Sequence, residues 1–480
     1  MKLIQMLVTI IALTMSGCGE GTARQSENQS PSFVTGKQQV IFYLTTADQS
    51  VLFQQQPVTV VPSAQDDLAN IEVSAGTRYQ EIDGFGFSLT GGSAELINGM
   101  SAAAKDKLLN ELFGTQQHDI GVSYLRISLG ASDLDAKVFS YNDLPWGETD
   151  ISLEKFSIEE DRKNLIPVLT QILSINPGIK IMASPWSAPT WMKDNQASKG
   201  GSLQTEYHAV YAQYFVKYIQ AMADEGIAID AVTVQNEPLH PGNNPSLYMS
   251  APEQADFVKN ALGPAFKQAK INTKIIIYDH NADRPDYPIS ILDDADAKQY
   301  IDGSAFHLYG GKIENLSLVH AQHPDKNIYF TEQWIGAPGD FPADIKFHIK
   351  ELLIGATRNW SRTVLEWNLA ADPDNKPHTE GGCTRCLGAL TIDGERITRN
   401  PAYYIIAHAS KFVRPGSVRI HSGSSLTLPN VAFKTPTGAI VVIVLNNGKG
   451  KQQFTLAVAD EVIVTSLDIG AVGTFVWQQK

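Results

Sequence analysis

Residues 231–238 read Ala-Val-Thr-Val-Gln-Asn-Glu-Pro, a short β-branched run that stops on a carboxylate. Alternating Val and Thr suit a strand buried in a parallel sheet, and Pro238, which has no N–H to give the ladder, ends it just after Glu237. Residues 327–334, NIYFTEQW, repeat the design: an apolar run ending in Thr331-Glu332. Either motif alone describes a surface turn as readily as a site. Two acids on different strand ends of one barrel mouth are another matter, because they can serve as proton donor and nucleophile on a glycosidic bond. The reading therefore depends on the remaining strands being present in order.

They are. Apolar strand-like runs alternate with amphipathic helical stretches: EIDGFGFSLT (81–90), YLRISLG (124–130), KIMASPWSAP (180–189), the 231–238 run, KIIIYDHN (274–281), GSAFHLYG (303–310), NIYFTEQW (327–334) and TVLEWNLA (363–370). Ser157 with Glu160 and Ser250 with Glu253 read as capping boxes opening two of the intervening helices. Tyr207, Val210, Tyr211, Tyr214, Tyr218 and Ile219 recur at helical spacing, a stripe read as helix-to-barrel packing rather than a sugar platform. Eight strand-helix units predict an α/β fold, a (β/α)8 TIM barrel over 79–411, with Glu237 closing the fourth strand and Glu332 the seventh.

Outside the barrel the pattern turns to short strands. VIFYLTT (40–46), VLFQ (51–54), VTVVP (58–62) and IEVS (71–74) fall within 36–78, and 418–420, 426–428, 439–445, 453–456, 462–465 and 473–477 fall within 412–480. One side β-sandwich built from both chain termini is expected.

The N-terminus has a basic start, an apolar run from Leu3 to Leu13 and a small-residue cut site before Cys18. These predict a signal peptide over 1–17 and export. Ser16-Gly17-Cys18 matches a bacterial lipobox except for Met15, so Cys18 is expected to carry lipid, the alternative being an ordinary secreted protein cut near Cys18. Residues 18–35 are polar and aperiodic and read as a tether. The expected location is the outer membrane or cell surface, otherwise the periplasm or medium. No second apolar run is long enough to span a bilayer. Lys and Arg total 38 against 51 Asp and Glu, 38 − 51 = −13, which argues against nucleic acid and anionic membrane as partners and suits a neutral polymer. Cys383 and Cys386 form a C-x-x-C in a Gly-rich loop; in an exported chain a local disulfide is the first reading, ahead of a zinc half-site without its other half or a redox motif without its βαβ setting. Neither a strand-end Lys nor a metal-ligand cluster is legible, so no metal or cofactor is expected. The chain is expected to act as a monomer.

The ordered set GFG (84–86), ASPWSAPTWMK (183–193), QNEP (235–238), FHLYG (306–310), TEQW (331–334) and EWNLA (366–370) resembles glycoside hydrolase family 30 over most of the chain, the terminal sandwich included. The resemblance implies a retaining β-glycosidase in which Glu237 is the acid/base, its pKa raised by its partner and apolar surroundings, and Glu332 the ionised nucleophile. Asn236 would bond the sugar 2-hydroxyl, and Arg126 would hold Glu332 ionised with help from Tyr309. His307 faces either the sugar or a supporting carboxylate, or is structural. Asp133, in GASDLD (130–135), resembles the family's hydroxyl-binding aspartate, with helix capping as its alternative. Trp186, Trp334 and Trp367 stand at strand ends where indoles can stack on a pyranose. The family leaves several β-linked substrates open. The long loop 370–400, with PHTEGGCTRCLGAL (377–390), resembles the bacterial branch that includes β-1,6-glucanases more than the animal glucosylceramidases, which makes endo-β-1,6-glucanase the expected activity, ahead of β-glucosidase or glucosylceramidase and then β-xylan. A surface glycan-binding lipoprotein is the non-enzymatic alternative, and the presence of both glutamates argues against it.

Overall fold

Parallel strands rich in Ile, Val and Phe bury both faces, and here eight of them close on themselves. The computed structural model describes residues 40–61, 68–116, 118–459 and 461–478; the expected signal peptide, Cys18 and the expected tether lie outside the described residues. The barrel strands, numbered one to eight in chain order, are Gly84–Ser88, Tyr124–Ser128, Lys180–Ser184, Ala231–Thr233, Lys274–Ala282, Ile301–Gly311, Asn327–Glu332 and Ser361–Asn368. Each pairs in parallel with its sequence neighbours, and strand eight returns to strand one through Thr363↔Gly84 and Val364↔Phe85. Strands two to eight each give one inward residue to the barrel core: Tyr124, Met182, Ala231, Ile276, Ala305, Tyr329 and Leu365. Strand one gives Gly86, where a Cβ would meet the Tyr124 carbonyl oxygen at 1.8 Å. The alternate, outward residues pack under the surrounding helices.

Those helices follow the sequence with one exception. Helix Ala251–Phe257 opens on the Ser250–Glu253 capping box. Ser157 and Glu160 form no such box: the helix there is Glu159–Lys163, and Glu160 is drawn instead to Lys137 and Lys163 at 3.0 and 2.8 Å. In helix His208–Asp224, Tyr211, Tyr214 and Tyr218 are fully buried, and Tyr141 stacks on the latter two.

Strands from both ends of the chain make one ten-stranded sheet. Val40–Thr45 pairs with Val472–Trp477 along its whole length, and the long strand Ala69–Glu81 lies between Val418–Ser422 and Gln452–Val458. Phe42, Phe454 and Phe475 centre its core. Two expected strands move. Residues 426–428 are a turn, because Pro429 lacks an amide and the Asn430 side chain donates to the Gly423 and Leu428 carbonyls; the strand is Asn430–Lys434. In 51–54, Phe53 adopts φ +48°, so only Gln54 onward is extended. The sheet is bolted to the barrel by buried polar contacts. His408, on helix Pro401–Ser410, bridges Thr45 and Thr474 at 2.8 Å each, and Arg358 donates to carbonyls of Ser422, Gly423 and Asn430.

Candidate active site

The C-terminal ends of the strands carry the polar side chains, as a barrel's geometry requires. After strand four the chain turns sharply: Asn236 N–H donates to Pro185 O and Glu237 N–H to Asp279 O, at 2.8 and 2.9 Å, and Glu237 sits at φ +45°. Strand seven ends on Glu332 itself. Ligating atoms of Glu237, His307 and Glu332 all lie within 4.8 Å of one another. One oxygen of each glutamate thus lies close to the other, on the side of the short spacing of about 5–5.5 Å that a nucleophile and an acid/base use on one anomeric carbon, rather than the about 6.5–9.5 Å of an inverting pair.

Arg126, in the middle of strand two and fully buried, is the hub. Its guanidinium donates to Glu332 Oε2 at 2.6 Å, Asn236 Oδ1 at 2.7 Å, Asp279 Oδ2 at 2.8 Å and Ser184 Oγ at 3.1 Å. It lies 4.7 Å from the Trp186 ring centre and 5.8 Å from that of Trp367, and these two indoles stack on each other at 5.3 Å. Tyr309 donates its hydroxyl to Glu332 Oε1 at 2.9 Å. His307 bridges Glu237 Oε1 and Asp279 Oδ1 through its two ring nitrogens, at 3.0 and 3.1 Å, so it faces carboxylates and not an open subsite.

Asp279 was not legible as a site residue, nor were Thr233 and Thr331, whose hydroxyls donate to it at 2.7 and 2.6 Å. Strand five bulges here: Ala305 pairs with Tyr278 but Phe306 with His280, and Tyr278 and Asp279 both have positive φ. The bulge turns Asp279 towards Arg126, a use bulges find beside active sites. The signal was in KIIIYDHN, an apolar strand ending on an acid as strands four and seven do. Glu366, the acid of strand eight, is instead turned to His348 at 2.7 Å.

The electrostatics follow from this wiring. Burial works against charge on Asp279, but Arg126 and His307 hold its carboxyl well below the usual range. Burial likewise opposes a charged His307, yet Glu332, Asp279 and Glu237 around it raise it to about 9. The expected elevation of Glu237 is corrected: burial lifts it, but the His307 hydrogen bond and charge outweigh burial and hold it below the ordinary glutamate value. Glu332 is pushed up, by burial first and by the neighbouring Glu237, against the pull of His307 and Arg126.

A cavity of about 270 Å³ opens over the pair, lined by Asp133, Trp186, Tyr309, Trp334 and Trp367 beside the two glutamates, with His240, Asn243, Cys383 and Cys386 completing the wall. The structure thus brings every sequence-nominated residue of the described chain to one mouth. Asp133 caps no helix; its Oδ2 accepts from Cys383 N–H at 3.2 Å, and burial together with Glu332 raises it to about 7. Cys383 and Cys386 are joined as a disulfide. A larger cleft, about 580 Å³, lies against helices Gly91–Asn98 and Glu159–Lys163 and contains neither strand-end glutamate. Glu237, His307 and Glu332 also have the donor types of a cation site, but Arg126 and Tyr309 engage both Glu332 oxygens and His307 is held on two carboxylates, so the set is wired for proton and charge control.

A closed barrel with two buried glutamates facing each other from strands four and seven, under a lid of indoles, defines a glycoside hydrolase of the retaining type. The chain belongs to glycosyl hydrolase family 30: that family's TIM-barrel domain matches residues 82–413 and its beta sandwich domain residues 416–475. It is 34% identical over 402 residues to the endo-1,6-beta-D-glucanase of Neurospora crassa, covering 80% of this chain and 82% of that protein. It is 29% identical over 435 residues to mouse lysosomal acid glucosylceramidase, covering 84% and 82%. A solved endo-β1,6-glucanase superposes with a TM-score of 0.86 at 36% identity, covering 92% of this chain and 100% of that one.

Proposed function

We propose that this chain is an endo-β-1,6-glucanase acting by double displacement, with Glu332 as nucleophile and Glu237 as acid/base. The observation that carries the mechanism is the 4.8 Å grouping of Glu237, His307 and Glu332 around one cavity, with Arg126 and Tyr309 both on Glu332. The two carboxyls and His307 titrate as a group, and the resting proton sits largely on His307. When a sugar displaces water, the glycosidic oxygen draws that proton through Glu237 while Glu332, held by Arg126, attacks the anomeric carbon. The resulting glycosyl-enzyme is opened by water that Glu237 activates, and the β configuration is retained. Trp186, Trp334 and Trp367 present apolar faces to the pyranose, and Asp133 and Asn236 its hydroxyl partners.

The linkage rests on kinship: the Neurospora crassa enzyme and the solved glucanase are both named for β-1,6-glucan. Purified protein given β-1,6-glucan should release mixed short oligosaccharides over time. Glucose alone, with turnover of glucosylceramide or an aryl β-glucoside, would move the assignment towards the activity named for the mouse relative. Glu332→Gln should abolish turnover with folding intact. Glu237→Gln should spare substrates with good leaving groups far more than poor ones, and wild-type rates in either variant would refute the roles. Export and a lipid anchor at Cys18 are part of the same proposal, supported by the lipobox-like Ser16-Gly17-Cys18.

A further inference from the structure

The loop after strand eight does more than border the cavity. Cys386 lies in a short strand, Cys386–Leu387, that pairs antiparallel with Ile335–Gly336 just beyond Glu332 and Trp334, and Ala337 N–H donates to Arg385 O at 2.8 Å. Three residues earlier the same loop touches Asp133: Cys383 N–H reaches its carboxylate, and Thr379 N–H donates to its carbonyl at 2.9 Å. Asn244, from the loop after strand four, donates to Glu380 O at 2.9 Å. Gly382 is packed so tightly that a Cβ would meet Asp133 O at 2.4 Å. The sulfur pair itself packs with Leu134 and the three indoles at the cavity wall.

We propose that the Cys383–Cys386 disulfide is a positioning element of the sugar site: it locks the amide that holds the Asp133 carboxyl to the segment Ile335–Gly336 that follows Glu332, and its sulfurs form part of the wall against which the sugar rests. The inference builds on the glycosidase reading above. Without the bridge, the Cys383 end would be held only by the Thr379 and Asn244 contacts upstream while the Cys386 end stays paired to Ile335–Gly336, so the Cys383 N–H would drift from the Asp133 carboxyl and loosen its register with the nucleophile. The fold would keep the loop, and the sugar's hydroxyl contact would loosen.

A double-mutant cycle tests this, because it separates an effect transmitted through Asp133 from a general loss of order. Replacing Cys383→Ala and Cys386→Ala together should lower kcat/KM on soluble β-1,6-gluco-oligosaccharides about tenfold, chiefly through KM, the size of one net hydrogen bond. In an Asp133→Ala background, where the Cys383 N–H has no side-chain acceptor left to lose, the same pair of changes should cost less than about twofold. Equal losses in both backgrounds would overturn the proposal. Dithiothreitol applied to the folded wild type, which leaves both sulfurs as thiols and closes to its own cyclic disulfide, gives the same comparison if the double variant fails to fold. Gly382→Ala should reproduce the defect with the bridge intact. Binding of deoxynojirimycin, a glucose-shaped cation, followed by calorimetry, supplies the cycle without turnover. Wild-type protein inactive on the oligosaccharides but showing the non-additive pattern with the iminosugar would refute the β-1,6 assignment and leave this inference standing.

Discussion

Replacing Arg126 with Met tests the charge logic of the site most directly. The side chain is fully buried and answers two carboxylates, Glu332 at 2.6 Å and Asp279 at 2.8 Å. A unit charge about 4 Å away in a medium of effective dielectric about 20 is worth about 4 kcal/mol, or about three pKa units; carboxylates beside arginine are typically displaced by about 1–3 units. Glu332 is already pushed up by burial, so losing Arg126 should carry it further up. The acidic limb of the kcat/KM profile should therefore move to higher pH by about 1–3 units, and activity near pH 5 should fall by about 10- to 1000-fold. Stability should drop too, by about 3–5 kcal/mol, because two buried acids are left without their partner. The assay is kcat/KM on β-1,6-gluco-oligosaccharides from pH 4 to 9, with a urea titration in parallel. Arg126→Lys keeps the charge but not the fork that spans Ser184, Asn236, Asp279 and Glu332; it should move the limb less while still lowering kcat. An Arg126→Met enzyme whose acidic limb stays in place would refute the reasoning, whatever happens to its rate.

His307 predicts a pH-dependent stability. Its folded value of about 9 exceeds the ordinary 6.5, so its contribution is fully present below about pH 6.5 and is lost as pH rises through about 9; the stability gap between wild type and His307→Gln should shrink by about 3 kcal/mol between pH 6 and pH 10, and urea titrations giving the same gap at both would contradict it. Asp279→Asn keeps the shape of the side chain but removes the anion beside His307 Nε2, so the imidazole resonance followed by NMR should titrate at lower pH than in wild type, together with an activity loss of about 10- to 100-fold. Cys18→Ala should shift the protein from the detergent-extracted membrane fraction to the soluble one, and an unchanged distribution would refute the lipid anchor.

How much of this was legible before the fold was known depends on what each residue has to do. Strands four and seven could be read because a buried parallel strand is apolar and an acid at its end breaks the pattern; Glu237 and Glu332 stood out against Val and Phe. Arg126, a cation inside YLRISLG, read from the residues alone as a barrel ion pair, and only the resemblance to family 30 put it beside the nucleophile. The capping box at Ser250 was readable because its partners are three residues apart, whereas the one at Ser157 failed because Lys137, distant in sequence, claims Glu160. In the sheet, the misplaced strand at 426–428 came from apolar Leu426 and Leu428, whose periodicity says nothing of the Asn430 side chain that satisfies the turn's carbonyls.

Asp279 marks the limit of that kind of reading. Its identity and place at a strand end were visible, but its direction was not, since side chains alternate along a regular strand and a one-residue bulge reverses the face. Strands five and six shift register twice beside the site, at Tyr278/His280 and again at His307/Gly311, and strands six and seven shift between Phe306 and His307. These shifts bring Asp279, His307 and Thr331 to one point beneath Glu237 and Glu332. The backbone cost of two successive positive-φ residues at Tyr278 and Asp279 is of order 1–3 kcal/mol each. It is offset locally by the Asp279 carboxylate, which receives Arg126, Thr233, Thr331 and His307. The strain and the charge network are thus one device: the bulge exists where four partners wait for the side chain it redirects, and removing the partners, as Arg126→Met begins to do, removes the reason for the bulge.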